Sequence, residues 1–112
     1  MGSSLRELDP LIRPAAEALF EAARAAGLNP RVTSTRRSAA TQRRLYEAWR
    51  AGRSRFPAAP PGSSKHETGF AFDMVLSDER YYRVLGEWWE SIGGTWGGRF
   101  KDPIHFDYRG KT

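Results

Sequence analysis

The stretch SKHETGFAFDMVL, residues 64–76, joins a polar turn to an apolar run. From Phe70 to Leu76 every residue is apolar except Asp73, which predicts a central β-strand with one carboxylate in its middle. A buried carboxylate costs several kcal/mol unless a cation compensates it. The pattern therefore predicts either a metal ion or a salt bridge to one of the chain's many arginines. Gly69 permits a tight turn that brings His66 back towards the carboxylate.

A second segment that combines histidine with acidic residues is GGRFKDPIHFDY, residues 97–108. It contains His105, and the chain has two histidines in all, His66 and His105. Two imidazoles and the Asp73 carboxylate would leave the fourth tetrahedral position of a zinc ion open for water, as in catalytic zinc sites. Such an ion lowers the pKa of its water towards ~7, and a nearby carboxylate then acts as base. Asp102 is placed for this role.

The remaining chain predicts helices and short strands. Helices are expected over Leu8–Ala26, over Ala39–Ala51, and from Ser77 or Asp78 to Gly93-Gly94; further strands are expected over Arg31–Thr35 and Ile104–Tyr108. Pro14 lies near the fourth or fifth position of the first helix, so either its first turn is irregular or the regular helix begins only there. The Gly-, Ser-, Pro- and Ala-rich segment 53–64 predicts an exposed loop. This order predicts an α+β domain in which helices pack on one face of a small antiparallel sheet, with the zinc site in a cleft on the sheet.

Size and composition predict one domain over residues 1–112. The chain contains no cysteine, so a zinc ion must be held by His, Asp or Glu, which favours a catalytic site over a structural one. A net charge of +5 suits an anionic partner such as cell-wall polymer, lipopolysaccharide or nucleic acid, although a solvated arginine-rich surface explains it equally well. No stretch is apolar enough to span a bilayer, and the start MGSSLRELDPL lacks the core of a signal peptide.

The two segments resemble the metallopeptidases that include the VanY and VanX D-alanyl-D-alanine peptidases and the phage L-alanyl-D-glutamate endolysins. The pattern of these enzymes is S-x-H-x-x-G-x-A-x-D, followed later by [E/D]-x-x-H. Every fixed position is filled here, by Ser64, His66, Gly69, Ala71 and Asp73 in the first block and by Asp102 and His105 in the second. The resemblance covers roughly Leu8 to Tyr108. It implies one zinc ion held by His66, Asp73 and His105, with Asp102 as the base.

The resemblance extends upstream to VTSTRRSAATQRRLY, which is similar to the family's V-x-S-G-Y-R-S segment and its later Gln and Leu-Tyr pair. Arg37 falls on the family's arginine, which helps to bind substrate or to stabilise the transition state. The neighbouring Arg36 leaves a register shift of one residue open. By analogy Ser64 binds the substrate or orients the metal shell, but a serine that only forms a turn fits the sequence almost as well.

The resemblance implies a peptidoglycan peptidase that cuts the stem peptide between L-Ala and D-Glu, because Asp102 is Asp, as in the endolysin-like branch, rather than Glu. One alternative is a D-alanyl-D-alanine carboxypeptidase, which needs a cation for a free C-terminal carboxylate. Another is a non-catalytic peptidoglycan-binding module, against which the intact Asp102 argues. A nucleic-acid-binding domain explains the charge but neither motif.

We therefore expect a monomeric, cell-wall-lytic enzyme of the endolysin type with the stem peptide as its partner. We expect no nucleic-acid partner and no stable membrane insertion. The expected localisation is the cytoplasm at synthesis, with access to the wall after membrane disruption or from outside.

Overall fold

The computed structural model describes residues 3–108. Within that range the helices are α1 (Arg13–Ala25), α2 (Ala39–Arg50) and α3 (Tyr82–Ser91), and the strands are β1 (Arg31–Ser34), β2 (Ala71–Val75), β3 (Thr95–Trp96) and β4 (His105–Asp107). All strand pairs are antiparallel, and the strands form one sheet in the order β1-β2-β4-β3. The predicted α+β class with a small antiparallel sheet is confirmed.

The first helix begins later than the sequence predicts. Helix α1 starts at Arg13 rather than Leu8, and Pro14 occupies its first turn, where a proline removes no amide that the helix needs. Upstream, the Asp9 carboxylate accepts a hydrogen bond from the Leu11 amide at 2.9 Å and so stabilises a turn instead of the helix start. The prediction of a helix from Leu8 is wrong at its amino end, and the alternative start near Pro14 is correct.

The other helices follow the sequence more closely. The Ser38 hydroxyl caps α2, as predicted, by accepting a hydrogen bond from the Thr41 amide at 3.1 Å. Helix α3 starts at Tyr82, later than predicted, because Asp78 first caps a 3-10 turn over Glu79–Tyr81. The edge strand β3 is only two residues long and carries too little pattern to be predicted.

Alternate residues of β2 and β4 face opposite sides of the sheet. On one side Phe72 stacks on Phe106 with ring centroids 5.3 Å apart, and Trp89 of α3 meets both rings edge-on. The buried residues of α1 and α3 complete this core and include Ala16, Leu19, Ala23 and Leu85. The predicted packing of helices on one face is therefore confirmed for α1 and α3, whereas α2 lies on the other side. Asp73 and His105 occupy the intervening strand positions and face the other side.

That other side is bounded by α2 and by the irregular segment 53–64. Gln42 of α2, together with Phe56 and Ala59 of the segment, lines a cleft there. The segment contains no helix or strand, as its composition predicts. Within the part of the chain that the structure describes, no helix has the length and apolar character needed to cross a bilayer.

The aromatic core predicts a large difference between two phenylalanines. Phe106 is fully buried whereas Phe100 is 67% exposed. Phe106→Ala should lower the free energy of unfolding by about 3–5 kcal/mol because it removes the centre of the aromatic cluster. Phe100→Ala should change it by less than about 0.5 kcal/mol. Urea denaturation with a chelator present, so that metal binding does not contribute, measures both. A loss below about 1 kcal/mol for Phe106→Ala would contradict this description of the core.

Candidate metal centre

Strand pairing brings three polar side chains together in the middle of the sheet. Asp73 of β2 is paired with Ser34 of β1 on one side and with His105 of β4 on the other. Residues directly opposite each other in antiparallel strands share a face, with Cβ atoms about 5 Å apart. The register therefore places the Asp73 carboxylate beside the His105 imidazole.

His66 reaches the same place from a 3-10 turn, Lys65–Thr68, that precedes β2. The Ser64 hydroxyl caps the turn by accepting a hydrogen bond from the His66 amide at 3.2 Å. Gly69 ends it with φ +81°, and a Cβ there would come within 3.0 Å of the Asp9 amide nitrogen. Only glycine meets both conditions without strain. The turn directs the buried His66 ring towards β2.

The donor atoms of these residues converge on one point. His66 Nε2 and His105 Nδ1 each lie 3.2 Å from Asp73 Oδ1, and one donor atom from each of the three residues lies within 4.8 Å of the others. Ligands of a tetrahedral zinc ion at about 2.0–2.1 Å are ~3.3 Å apart, so these separations match such an ion. Two imidazole nitrogens and one carboxylate oxygen are also donors that zinc accepts. The residues therefore fit one zinc ion.

The ionised forms of Asp73 and His105 stabilise each other. Burial would raise the pKa of Asp73, but hydrogen bonds from His105 and His66 hold it well below its usual range. Burial would likewise lower the pKa of His105, but hydrogen bonds to Asp107 and Asp73 outweigh it and raise that pKa to about 9. At neutral pH a protonated imidazole thus balances the Asp73 carboxylate until a metal ion replaces the proton.

The other nitrogen of each imidazole ring has a partner of its own. His66 Nδ1 donates to the Thr35 carbonyl at 2.7 Å; because a carbonyl only accepts, Nδ1 keeps the proton when the ring is neutral, and Nε2 is then available to a metal. The Thr35 hydroxyl in turn donates to Glu7 at 2.7 Å. His105 Nε2 lies 2.8 Å from Asp107 Oδ2. The motif does not reveal these partners; only the spacing of Asp107, two residues after His105 on a strand, signals one of them.

Arg37 contacts the second carboxylate oxygen of Asp73. It donates to Asp73 Oδ2 at 3.1 Å, to the Ser34 hydroxyl at 3.1 Å and to the Gln42 amide oxygen at 3.2 Å. Arg36 points instead to solvent, so the register of the upstream segment is the one that puts Arg37 at the site. The two explanations for the buried Asp73 carboxylate therefore hold together: one oxygen faces the histidines and the other faces an arginine.

The predicted site residues all line one cleft of about 800 Å³, namely Arg37, Ser64, His66, Asp73, Asp102 and His105. Asp102 lies at the rim, where Gly97 packs against its backbone carbonyl so closely that a side chain at Gly97 would not fit. Desolvation by the cleft, followed by the negative charge of Asp73, raises the pKa of Asp102. A carboxylate with a raised pKa is suited to accept and return a proton.

Comparison with known families identifies the class of protein. Residues 5–110 match the VanY family, described as D-alanyl-D-alanine carboxypeptidase. The match spans nearly the whole chain, so the protein belongs to the VanY family and is a metallopeptidase. No curated protein matches the sequence.

Several solved structures are similar to this fold. VanYB in complex with D-Ala-D-Ala is 25% identical, with a TM-score of 0.72 over 92% of this chain and 72% of that chain. A mutant of the D,D-pentapeptidase VanY from the VanB-type resistance cassette, in complex with Zn(II), is 25% identical, with a TM-score of 0.70 over 92% and 73%. The L-Ala D-Glu endopeptidase ChiX of Serratia marcescens is 27% identical, with a TM-score of 0.59 over 93% and 82%.

The raised pKa of His105 predicts that metal uptake depends on pH. His105 binds a metal only after it loses the proton that it holds below about pH 9. The zinc affinity should therefore rise about tenfold per pH unit above neutrality and level off near that pKa. Chelator-buffered zinc titrations at several pH values measure the slope, and calorimetry in two buffers counts the released protons. An affinity that stays constant over this range would mean that His105 is already neutral.

The same shift predicts a pH-dependent stability of the metal-free protein. The folded-state pKa of about 9 lies above the ordinary value of 6.5. The interactions of protonated His105 therefore stabilise the folded protein fully at pH values below 6.5. This stabilisation is lost as the pH rises through about 9.

Proposed function

We propose that the protein is a zinc-dependent peptidoglycan peptidase that hydrolyses the bond between L-Ala and D-Glu in the stem peptide. The observation that carries the proposal is the convergence of His66 Nε2, Asp73 Oδ1 and His105 Nδ1 in a cleft whose rim carries Asp102. Membership of a peptidase family and the likeness to a Zn(II)-bound VanY variant support the metal and the reaction class.

In the proposed mechanism each residue has one task. His66, Asp73 and His105 would hold the zinc ion, which when bound would supply a Lewis acid for the scissile carbonyl and for water. Asp102 accepts the proton of the attacking water as the C–O bond forms, and passes it to the leaving amine as the C–N bond breaks. The raised pKa of Asp102 fits both transfers because the group must take up and release the same proton.

Arg37 and Ser64 support this reaction in different ways. Arg37 holds Asp73 through its second oxygen, and a guanidinium has more N–H donors than its three contacts use. Its remaining donors can stabilise the oxyanion that develops on the carbonyl. Ser64 caps the turn that contains His66, so we assign it an orienting role. Its hydroxyl proton can form a hydrogen bond with the substrate.

The choice of bond rests on two observations. Asp102 is the shorter acidic residue found in the endolysin-like branch, and the chain resembles ChiX, an L-Ala D-Glu endopeptidase, over 93% of its length. The family description and the likeness to VanYB in complex with D-Ala-D-Ala favour the second candidate, a D-alanyl-D-alanine carboxypeptidase.

Digestion of defined stem peptides separates the two candidates. We expect the zinc-loaded protein to release the peptide after L-Ala, and a chelator to abolish this release. Mass spectrometry of muropeptides identifies the bond. Loss of a terminal D-Ala with an intact L-Ala–D-Glu bond would establish the carboxypeptidase instead. Binding of the same peptides without cleavage at any pH would support a non-catalytic wall-binding module.

Two substitutions test the residue roles. Asp102→Asn should keep the fold and the zinc ion and lower turnover by about 10²–10⁴-fold, because it removes only the base. His66→Ala should lose the metal itself. Zinc analysis of the purified variants and turnover at saturating zinc provide the two readouts. Near-normal turnover of Asp102→Asn would exclude Asp102 as the base.

We also propose that the protein acts as a monomeric single domain. All the proposed ligands, the base and the arginine come from one chain, between Arg37 and His105. The gel-filtration mass of the zinc-loaded protein tests the oligomeric state.

A further inference from the structure

We propose that Asp107 is a positioning residue that selects the metal-binding nitrogen of His105 and raises the zinc affinity of the site. The inference depends on His105 being a zinc ligand, as proposed above. Asp107 follows His105 by two residues on β4, so both side chains lie on the cleft face of the sheet. The Asp107 carboxylate approaches His105 Nε2 at 2.8 Å, on the side of the ring away from Asp73.

The carboxylates of Asp73 and Asp107 contact different nitrogens of the His105 ring. Asp73 Oδ1 lies 3.2 Å from Nδ1 of His105, and Asp107 Oδ2 lies closer, 2.8 Å from Nε2. Because an ionised carboxylate only accepts hydrogen bonds, Asp107 keeps the ring proton on Nε2 when the imidazole is neutral. The lone pair then sits on Nδ1 and faces Asp73 and His66. A carboxylate behind a metal-binding histidine also increases the electron-donating power of the ring.

Asp107 is held firmly enough to orient a ring. Its backbone carbonyl accepts a hydrogen bond from the Trp89 indole at 2.7 Å, and Trp89 is buried in the aromatic core. Its backbone is also paired with Ala71 of β2 and Thr95 of β3. The Asp107 side chain is only 14% exposed. The sheet and α3 therefore fix the backbone that carries this carboxylate, which does not lie on a loop.

The charge of Asp107 also suits a divalent ion. Asp73 supplies one negative charge to the proposed ligand set, but its carboxylate also forms a salt bridge with Arg37. The two imidazoles are neutral when they bind a metal. Asp107 adds the second negative charge that offsets a divalent cation, and it does so through His105 without direct contact. Removal of this charge should weaken zinc binding without removing a ligand.

Two variants of Asp107 test the proposal. Asp107→Ala removes the hydrogen bond and the charge and should raise the zinc dissociation constant about 10–100-fold. Asp107→Asn keeps a hydrogen-bond acceptor but loses the charge, so its loss of affinity should be smaller. Glu17→Gln, an exposed charge on α1, is the control and should bind zinc like the wild type. Competition with a fluorescent chelator measures all three constants, and circular dichroism of the chelator-treated proteins checks the fold.

Activity at saturating zinc distinguishes positioning from chemistry. Asp107→Ala should recover most of its turnover once enough zinc is present, whereas Asp102→Asn should not. The cobalt-substituted Asp107→Ala protein should show an altered visible absorption spectrum, because the ring that ligates the metal is no longer fixed. If both Asp107 variants bind zinc as tightly as the wild type, the inference is wrong. If Asp107→Ala binds zinc normally but stays inactive at saturating zinc, Asp107 acts in the chemistry and not in positioning.

The outcomes also separate this inference from the proposed function. Normal zinc affinity of the Asp107 variants, together with metal loss in His66→Ala, would overturn the inference and leave the zinc peptidase intact. Absence of zinc binding by the wild type would overturn both. Should Asp107→Ala fail to fold, Asp107→Asn decides, because it has nearly the same shape.

Discussion

The structure depends on one carboxylate in the middle of the central strand. Asp73 is largely buried, and its two oxygens have separate tasks: Oδ1 faces His66 and His105, and Oδ2 accepts a hydrogen bond from Arg37. Without such partners a carboxylate at this position would cost several kcal/mol. The same partners hold the site in its metal-binding arrangement before any metal arrives, because a protonated His105 stands in for part of the missing charge. A metal ion at the proposed ligands would then replace the His105 proton.

The two faces of the sheet have different functions. Successive side chains of a strand point to opposite faces, so core residues and site residues alternate along the strands. On one face Phe72 and Phe106 pack against α1 and α3; on the other, Asp73, His105 and Asp107 form the site. In a small protein this division couples stability to chemistry, since the residues between the site positions form the core. Trp89 shows the coupling directly: its ring packs against both phenylalanines, and its indole nitrogen holds the backbone of Asp107. A rigid core therefore supports the ligand geometry.

The sequence predicts the centre of the site better than its surroundings. An apolar strand interrupted by Asp73, with a histidine before it and another on a later strand, is enough to predict which residues meet at the metal. The hydrogen-bond partner of His66 Nδ1 could not be predicted in this way. It is the backbone carbonyl of Thr35, and because every residue has a backbone carbonyl, the sequence does not identify it. The start of α1 depends on whether Asp9 caps a helix or a turn, and both are ordinary uses of the same side chain.

The walls of the cleft are built differently from its centre. The proposed ligands, the proposed base and Arg37 lie on the sheet or on short turns next to it, and structures with differently named substrates share this fold. Both candidate substrates have a free carboxylate next to the scissile nitrogen, because D-Glu continues the stem through its side chain. They differ in what lies beyond that carboxylate: a chain end in one, further residues in the other. The walls of the cleft come from α2 and the irregular segment 53–64, where Phe56 is 67% exposed. Loops of this kind vary without disturbing a sheet, so we expect segment 53–64 to contribute to the choice of substrate while Asp73 and its partners stay in place.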